Sequence, residues 1–89
     1  MLSEDLFMKE IRVLGVHVQN RIAEASEVQN VLTKFGANIK TRLGIHDIHG
    51  GDHADGLLLL ELCGEIKEWD ELENSLSSLS GVKVAKMSF

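Results

Sequence analysis

Cysteine is nearly missing from this chain: Cys63 stands alone, inside an apolar run. No disulfide framework can form, and a lone thiol in such a setting reads as a small hydrophobe rather than a redox centre. Positive charge is also scarce. Nine lysines and arginines face 14 acidic residues, for a net charge of −5, and no basic stripe with interleaved aromatics appears, which argues against nucleic acid as a direct partner. Long apolar runs are absent too: the longest, Leu57 to Leu60, is far too short to span a bilayer, so no membrane role is expected. The opening Met1-Leu2-Ser3-Glu4-Asp5 is acidic, without the basic flank and apolar stretch of a secretory signal, and a cytoplasmic location is the expectation. No Gly-x-Ser-x-Gly elbow, Walker-type loop or Gly-x-Gly-x-x-Gly fingerprint occurs, and Ser75, Ser77, Ser78 and Ser80 fall on the polar side or end of a helix. No nucleophile constellation emerges, so the expectation is a protein that is not an enzyme.

What is present is a regular rhythm. An 89-residue chain with 44% apolar residues supports one domain, residues 1–89 with a short N-terminal extension at 1–9. A core this small is marginal unless something else covers it. Ile11 to Val18 is rich in β-branched residues and predicts a strand, after which Asn20 can cap a helix. From Arg21 to Phe35, Ile22, Ala25, Val28, Leu32 and Phe35 recur at spacings of three and four, with Glu24 and Glu27 early and Lys34 late, as the helix dipole favours. Gly36 is expected to close that helix. Ala37 to His46 alternates, with Ile39, Leu43 and Ile45 on one side and Lys40, Arg42 and His46 on the other. Asp47 to Gly56 has the composition of a turn-rich loop. Leu57 to Gly64 predicts a third strand, Trp69, Leu72, Leu76 and Leu79 a second helix ending at Ser80-Gly81, and Val82 to Phe89 a last strand.

Two split βαβ units give an α+β fold, a ferredoxin-like βαββαβ sandwich with a four-stranded antiparallel sheet in the order 4-1-3-2 and both helices on one face. Helices can cover only one face, yet the strands at 11–18 and 57–63 carry apolar side chains on both, and the last strand sets Val82 and Val84 against Ala85, Met87 and Phe89. An uncovered apolar face predicts a homo-oligomer, dimer or tetramer.

In this topology the ends of strands one and two, the start of strand three and the start of helix one share one edge of the sheet. His17 closes strand one, His46 closes strand two, and His49 and His53 lie in the loop with Asp47, Asp52 and nearby Asp55. Imidazole and carboxylate are ligands for zinc, nickel or iron(II), so His17, His46, His49 and His53 are candidate ligands of a divalent transition metal. Solvated loops collect the same residues because they turn well, and the spacing matches no established metal signature. Arg42 at the same edge can clamp a carboxylate or phosphate, or can guard an edge strand together with Lys40. Asn20 and Arg21 open the first helix, whose free N–H groups suit an anion. Arg42, His46, Asn20 and Arg21 are therefore the candidate ligand-binding residues.

Three segments carry a family resemblance: Val31-Leu32-Thr33-Lys34-Phe35-Gly36 leading into Ile39, Arg42-Leu43-Gly44-Ile45, and Leu79-Ser80-Gly81-Val82-Lys83-Val84. Together they resemble the small single-domain regulators of iron-only hydrogenase systems, related to ACT-like domains and to the C-terminal domain of nickel-responsive repressors. The resemblance implies a ferredoxin-like domain that assembles through its sheets and a regulatory or ligand-sensing role, with a small-molecule effector and a protein partner. It carries no site across. The nickel-responsive His-x-His pair is replaced by His46-x-x-His49, Cys63 falls at the far end of strand three, and Gln19-Asn20-Arg21 stands where amino-acid-binding ACT domains place a glycine. About ten residues precede strand one, too few for a DNA-binding helix-turn-helix. Two other readings stand beside the sensor: a structural interaction module without a ligand, and a small metal-dependent enzyme.

Overall fold

A computed structural model describes residues 10–46 and 55–89, apart from the side chains of Arg21, Ile22, Ala23 and His46. The elements run β1 (Arg12–Val18), α1 (Arg21–Lys34), a 3₁₀ turn (Gly36–Asn38), β2 (Ile39–His46), β3 (Gly56–Leu62), α2 (Ile66–Ser77) and β4 (Val82–Ser88). The sheet order is β2-β3-β1-β4 with every neighbouring pair antiparallel, the ferredoxin-like order expected from the sequence.

Strand β1 is apolar on both sides, and pairing decides which side is core. Leu14, Val16 and Val18 are buried with Leu60, Leu62 and Val82 against Val28, Leu32 and Phe35 of α1 and Trp69, Leu72 and Leu76 of α2. The opposite face is a grid given by the cross-strand register. Across β2, β3, β1 and β4 it reads Ile45-Leu57-His17-Lys83, then Leu43-Leu59-Gly15-Ala85, then Thr41-Glu61-Val13-Met87. This face is mostly apolar, and no helix among the described residues covers it. Leu43 and Met87 are each 54% exposed, and Phe89 at its border is 75% exposed.

Two local expectations change. Ile39, Leu43 and Ile45 do not share a side, because a register shift between Ile39 and Thr41 inserts a bulge. Ile39 pairs with Leu62 and packs against the core, whereas Leu43 and Ile45 pair with Leu59 and Leu57 on the open face. One extra residue reverses the facing of everything after it. Gly36 follows the end of α1 as expected, but it does so by opening the 3₁₀ turn, and the glycines with positive φ among the described residues are Gly64 and Gly81.

Polar clasps hold the corners. Asn38 is buried; its Nδ2 donates to Glu68 Oε1 at 2.9 Å and to the Cys63 carbonyl at 3.3 Å, while the Cys63 amide donates to the Asn38 carbonyl at 2.8 Å. Trp69 Nε1 donates to the same Cys63 carbonyl at 2.7 Å, and Cys63 itself is half-buried, its Sγ donating to the Ala37 carbonyl. The Glu68 carboxylate also accepts from the Glu65 amide, which caps α2. The Asn38 amide first, and the Glu65 amide second, hold Glu68 below its ordinary pKa of 4.5. A carboxyl depressed in the folded state adds stability above its unfolded pKa, and that stability is lost as pH falls through the lower folded value. Acid titration of stability in Glu68→Gln is therefore expected to be shallower below pH 4.5 than in the parent; superimposable curves would remove Glu68 from the acid limb.

Candidate functional site

The first turn of α1 begins where β1 ends, and β2 ends where β3 begins, so these four segments meet at one end of the sheet. Between α1 and the β2–β3 hairpin they leave a cavity of about 210 Å³, lined by Val18, Ala25, Val28, Gln29, Arg42, Ile45, Gly56, Leu57 and Leu58. Its walls are apolar except for Arg42 and Gln29, and no acidic residue lines it among the described residues. Arg42 pairs across the strands with Leu60, itself opposite Leu14, so it stands on the helix-bearing side of the sheet. It remains exposed on an edge strand, as expected, but the β2 bulge sets it on the helix side of that strand. Arg42 forms no hydrogen bond or ion pair with any described residue, and a guanidinium of that kind has the donor geometry to receive a carboxylate or phosphate.

The helix N-terminus is arranged differently. Glu24, one turn in, accepts the Asn20 backbone amide at Oε1 (2.8 Å), and its carboxylate lies over Gly81. The chain thus supplies its own anion at this end of α1, where the dipole favours one. The Arg21 side chain lies outside the described set.

His17 sits on the open face, and its Nε2 lies 3.0 Å from Oδ2 of the buried Asp55. With Asp55 ionised, Nε2 carries the hydrogen of this contact and Nδ1 is the nitrogen left with a lone pair. Among the described residues no group of three His, Cys, Asp or Glu side chains comes together as a metal site. The His46 side chain and the whole of His49 and His53 lie outside the described residues. The cavity therefore unites Arg42 with residues that sequence reasoning had assigned to the core or to a helix surface. The available signal was on α1, where Ala25 is a small residue within the apolar stripe and Gln29 a polar one a turn later.

No protein-family model and no curated protein matches the chain. Solved structures do. An uncharacterised protein from Thermotoga maritima superposes with a TM-score of 0.78 at 21% identity, over 91% of this chain and 99% of the other. The ACT domain from GTP pyrophosphokinase of Chlorobium tepidum gives 0.64 at 17% identity, over 86% and 96%. The fold is ACT-like. A protein of unknown function from Galdieria sulphuraria also matches at 0.61 and 15% identity, over 90% of this chain and 45% of its own. At these identities the likeness is one of fold. No helix among the described residues is long and apolar enough to cross a membrane.

Proposed function

We propose that this is a non-enzymatic, ligand-sensing regulatory module that works as a homo-oligomer and takes a small anionic effector at Arg42. The observation that carries the reading is the position of the cavity. Arg42 and Leu58 line it from the helix side of β2 and β3, while Leu43 and Leu59 present the opposite side of the same two strands to the open face. An effector on one side and a second copy on the other share one pair of strands, so binding energy at the cavity can bias assembly by as much as it differs between the assembled and free states. The ACT-like fold supports a regulatory role, and a link to an iron-only hydrogenase system rests on the three resembling segments alone.

Thermal denaturation in the presence of a panel of small anions tests this reading. A midpoint that rises with anion concentration in the parent and not in Arg42→Gln is the expected result, because a ligand that binds only the folded state stabilises it by mass action. Equal response in parent and variant would take Arg42 out of the site, and no response to any anion would leave an interaction module without a ligand.

A further inference from the structure

The lining of the cavity restricts what it can hold. At about 210 Å³ it is smaller than the roughly 300 Å³ at which sites for drug-sized ligands begin, so its occupant is small, on the order of five to eight non-hydrogen atoms. Most of the wall is hydrocarbon: Val18, Ala25, Val28 and Leu58 among others. A phosphate or sulfate, hydrated on every side, would satisfy Arg42 and leave that wall unused, whereas a ligand with an aliphatic body removes both surfaces from water. One end must then be an anion for Arg42, and a planar carboxylate matches the guanidinium fork. Gln29, the other polar group of the lining, can donate from its amide to the second carboxylate oxygen.

The missing sign of charge is as informative as the one present. An α-amino acid brings an ammonium next to its carboxylate, and at the half-open mouth, where Arg42 and Gln29 are exposed, that ammonium stays hydrated and gains from the site only where an acidic or carbonyl-rich partner is at hand. No carboxylate lines the cavity among the described residues. Two described acids at this end of the sheet are already engaged: Glu24 with the Asn20 amide and Asp55 with His17. The ammonium would instead be held close to Arg42, a like charge. We propose that this cavity selects a short aliphatic monocarboxylate and rejects the α-amino acid of the same carbon skeleton. This rests on the ligand-sensing reading above and narrows it to a substrate class.

The test is a titration of the isotope-labelled full chain, followed by amide chemical shifts, with 4-methylpentanoate, leucine, 4-methylpentylamine and inorganic phosphate as separate probes. The expected result is binding of 4-methylpentanoate with the largest shifts at Val28, Gln29, Arg42 and Leu58, at least about tenfold tighter than leucine, and no saturable binding of the amine. Arg42→Gln is expected to weaken the carboxylate about ten- to a hundredfold. Ala25→Phe, which fills the cavity and leaves Arg42 intact, should abolish binding with the spectrum otherwise folded. Leucine binding as tightly as 4-methylpentanoate would overturn the selectivity, as would shifts centred away from the cavity. Phosphate binding at Arg42 without the carboxylate would overturn the substrate class and leave the sensor reading standing. Failure of all four probes would remove the sensor reading as well.

Discussion

Arg12→Ala is expected to destabilise the fold by about 3 kcal/mol, the largest loss from any single side chain outside the apolar core. Arg12 sits on the core side of β1, 6% exposed, at the end of the row formed by Leu14, Val16 and Val18. Its Nη1 donates to Asp70 Oδ1 at 2.8 Å and Glu73 Oε2 at 2.7 Å, and Nε donates to Glu10 Oε2 at 3.3 Å. The guanidinium also lies over the Trp69 ring, 5.2 Å from its centre. These contacts raise its pKa, the Asp70 hydrogen bond most, so it stays charged throughout the folded range. Truncation leaves Glu10, Asp70 and Glu73 without their shared cation, with Lys86 at 3.5 Å to offset Glu73 among the described residues, and it uncovers one side of Trp69. Asp70 is largely exposed, which is why the estimate stays at the low end of about 3–5 kcal/mol for breaking a buried pair. Arg12→Met keeps the packing over Trp69 and should cost about 1 kcal/mol less. Urea denaturation at fixed protein concentration measures both; equal stability of parent and Arg12→Ala would show that the cluster is solvated rather than structural.

Gly64→Ala is the second large effect, at about 2–4 kcal/mol, from two independent causes. Gly64 has φ of +87°, where an L side chain costs about 1–2 kcal/mol. An added Cβ would also stand 2.7 Å from Asn38 Nδ2. Asn38 cannot step aside freely, because it is buried and that nitrogen serves both Glu68 and the Cys63 carbonyl. Displacing it leaves a buried amide and removes the main cause of the depressed Glu68 pKa. Gly81→Ala provides the comparison. Its φ is +74°, but the obstructing group is the Glu24 carboxylate, the end of a flexible side chain, so its cost should be that of the backbone plus the exposed hydrogen bond from the Asn20 amide to Glu24. Gly64→Ala no worse than Gly81→Ala in denaturant midpoint would mean that Asn38 yields without loss.

The contrast between these residues explains what the sequence made legible. The element order, sheet order and helical stripes are short-range patterns, and Val28, Leu32, Trp69, Leu72 and Leu76 are buried as their spacing indicates. The bulge in β2 was hidden because alternation across Ile39, Leu43 and Ile45 continues unbroken through an inserted residue. That single residue moves Arg42 to the helix side and two aliphatic side chains to the open face. Arg12 was hidden for another reason: its partners lie 58 and 61 positions away, and nothing local distinguishes a buried arginine from one at a strand end. The edge of the sheet where the site lies followed from topology, but its apolar wall did not, since Val28 and Leu58 look like ordinary core positions. His49 and His53 lie outside the described residues, so the candidate site rests on Arg42.

The open face leads most directly to a decisive measurement. Its middle row sets Leu43 and Leu59 beside Gly15 and Ala85, large side chains next to small ones. A two-fold axis parallel to the strands would lay the large pair of one copy on the small pair of the other. Gly15 has room around it, since an added Cβ would meet nothing closer than 3.9 Å, which leaves the shallow depression such packing needs. Sedimentation velocity of the full chain at micromolar concentration, beside Leu43→Lys, tests the account. A dimer or tetramer that the lysine converts to a folded monomer is the predicted result. A parent chain that sediments as a monomer would contradict the claim that this sheet carries an effector on one side and a second copy on the other.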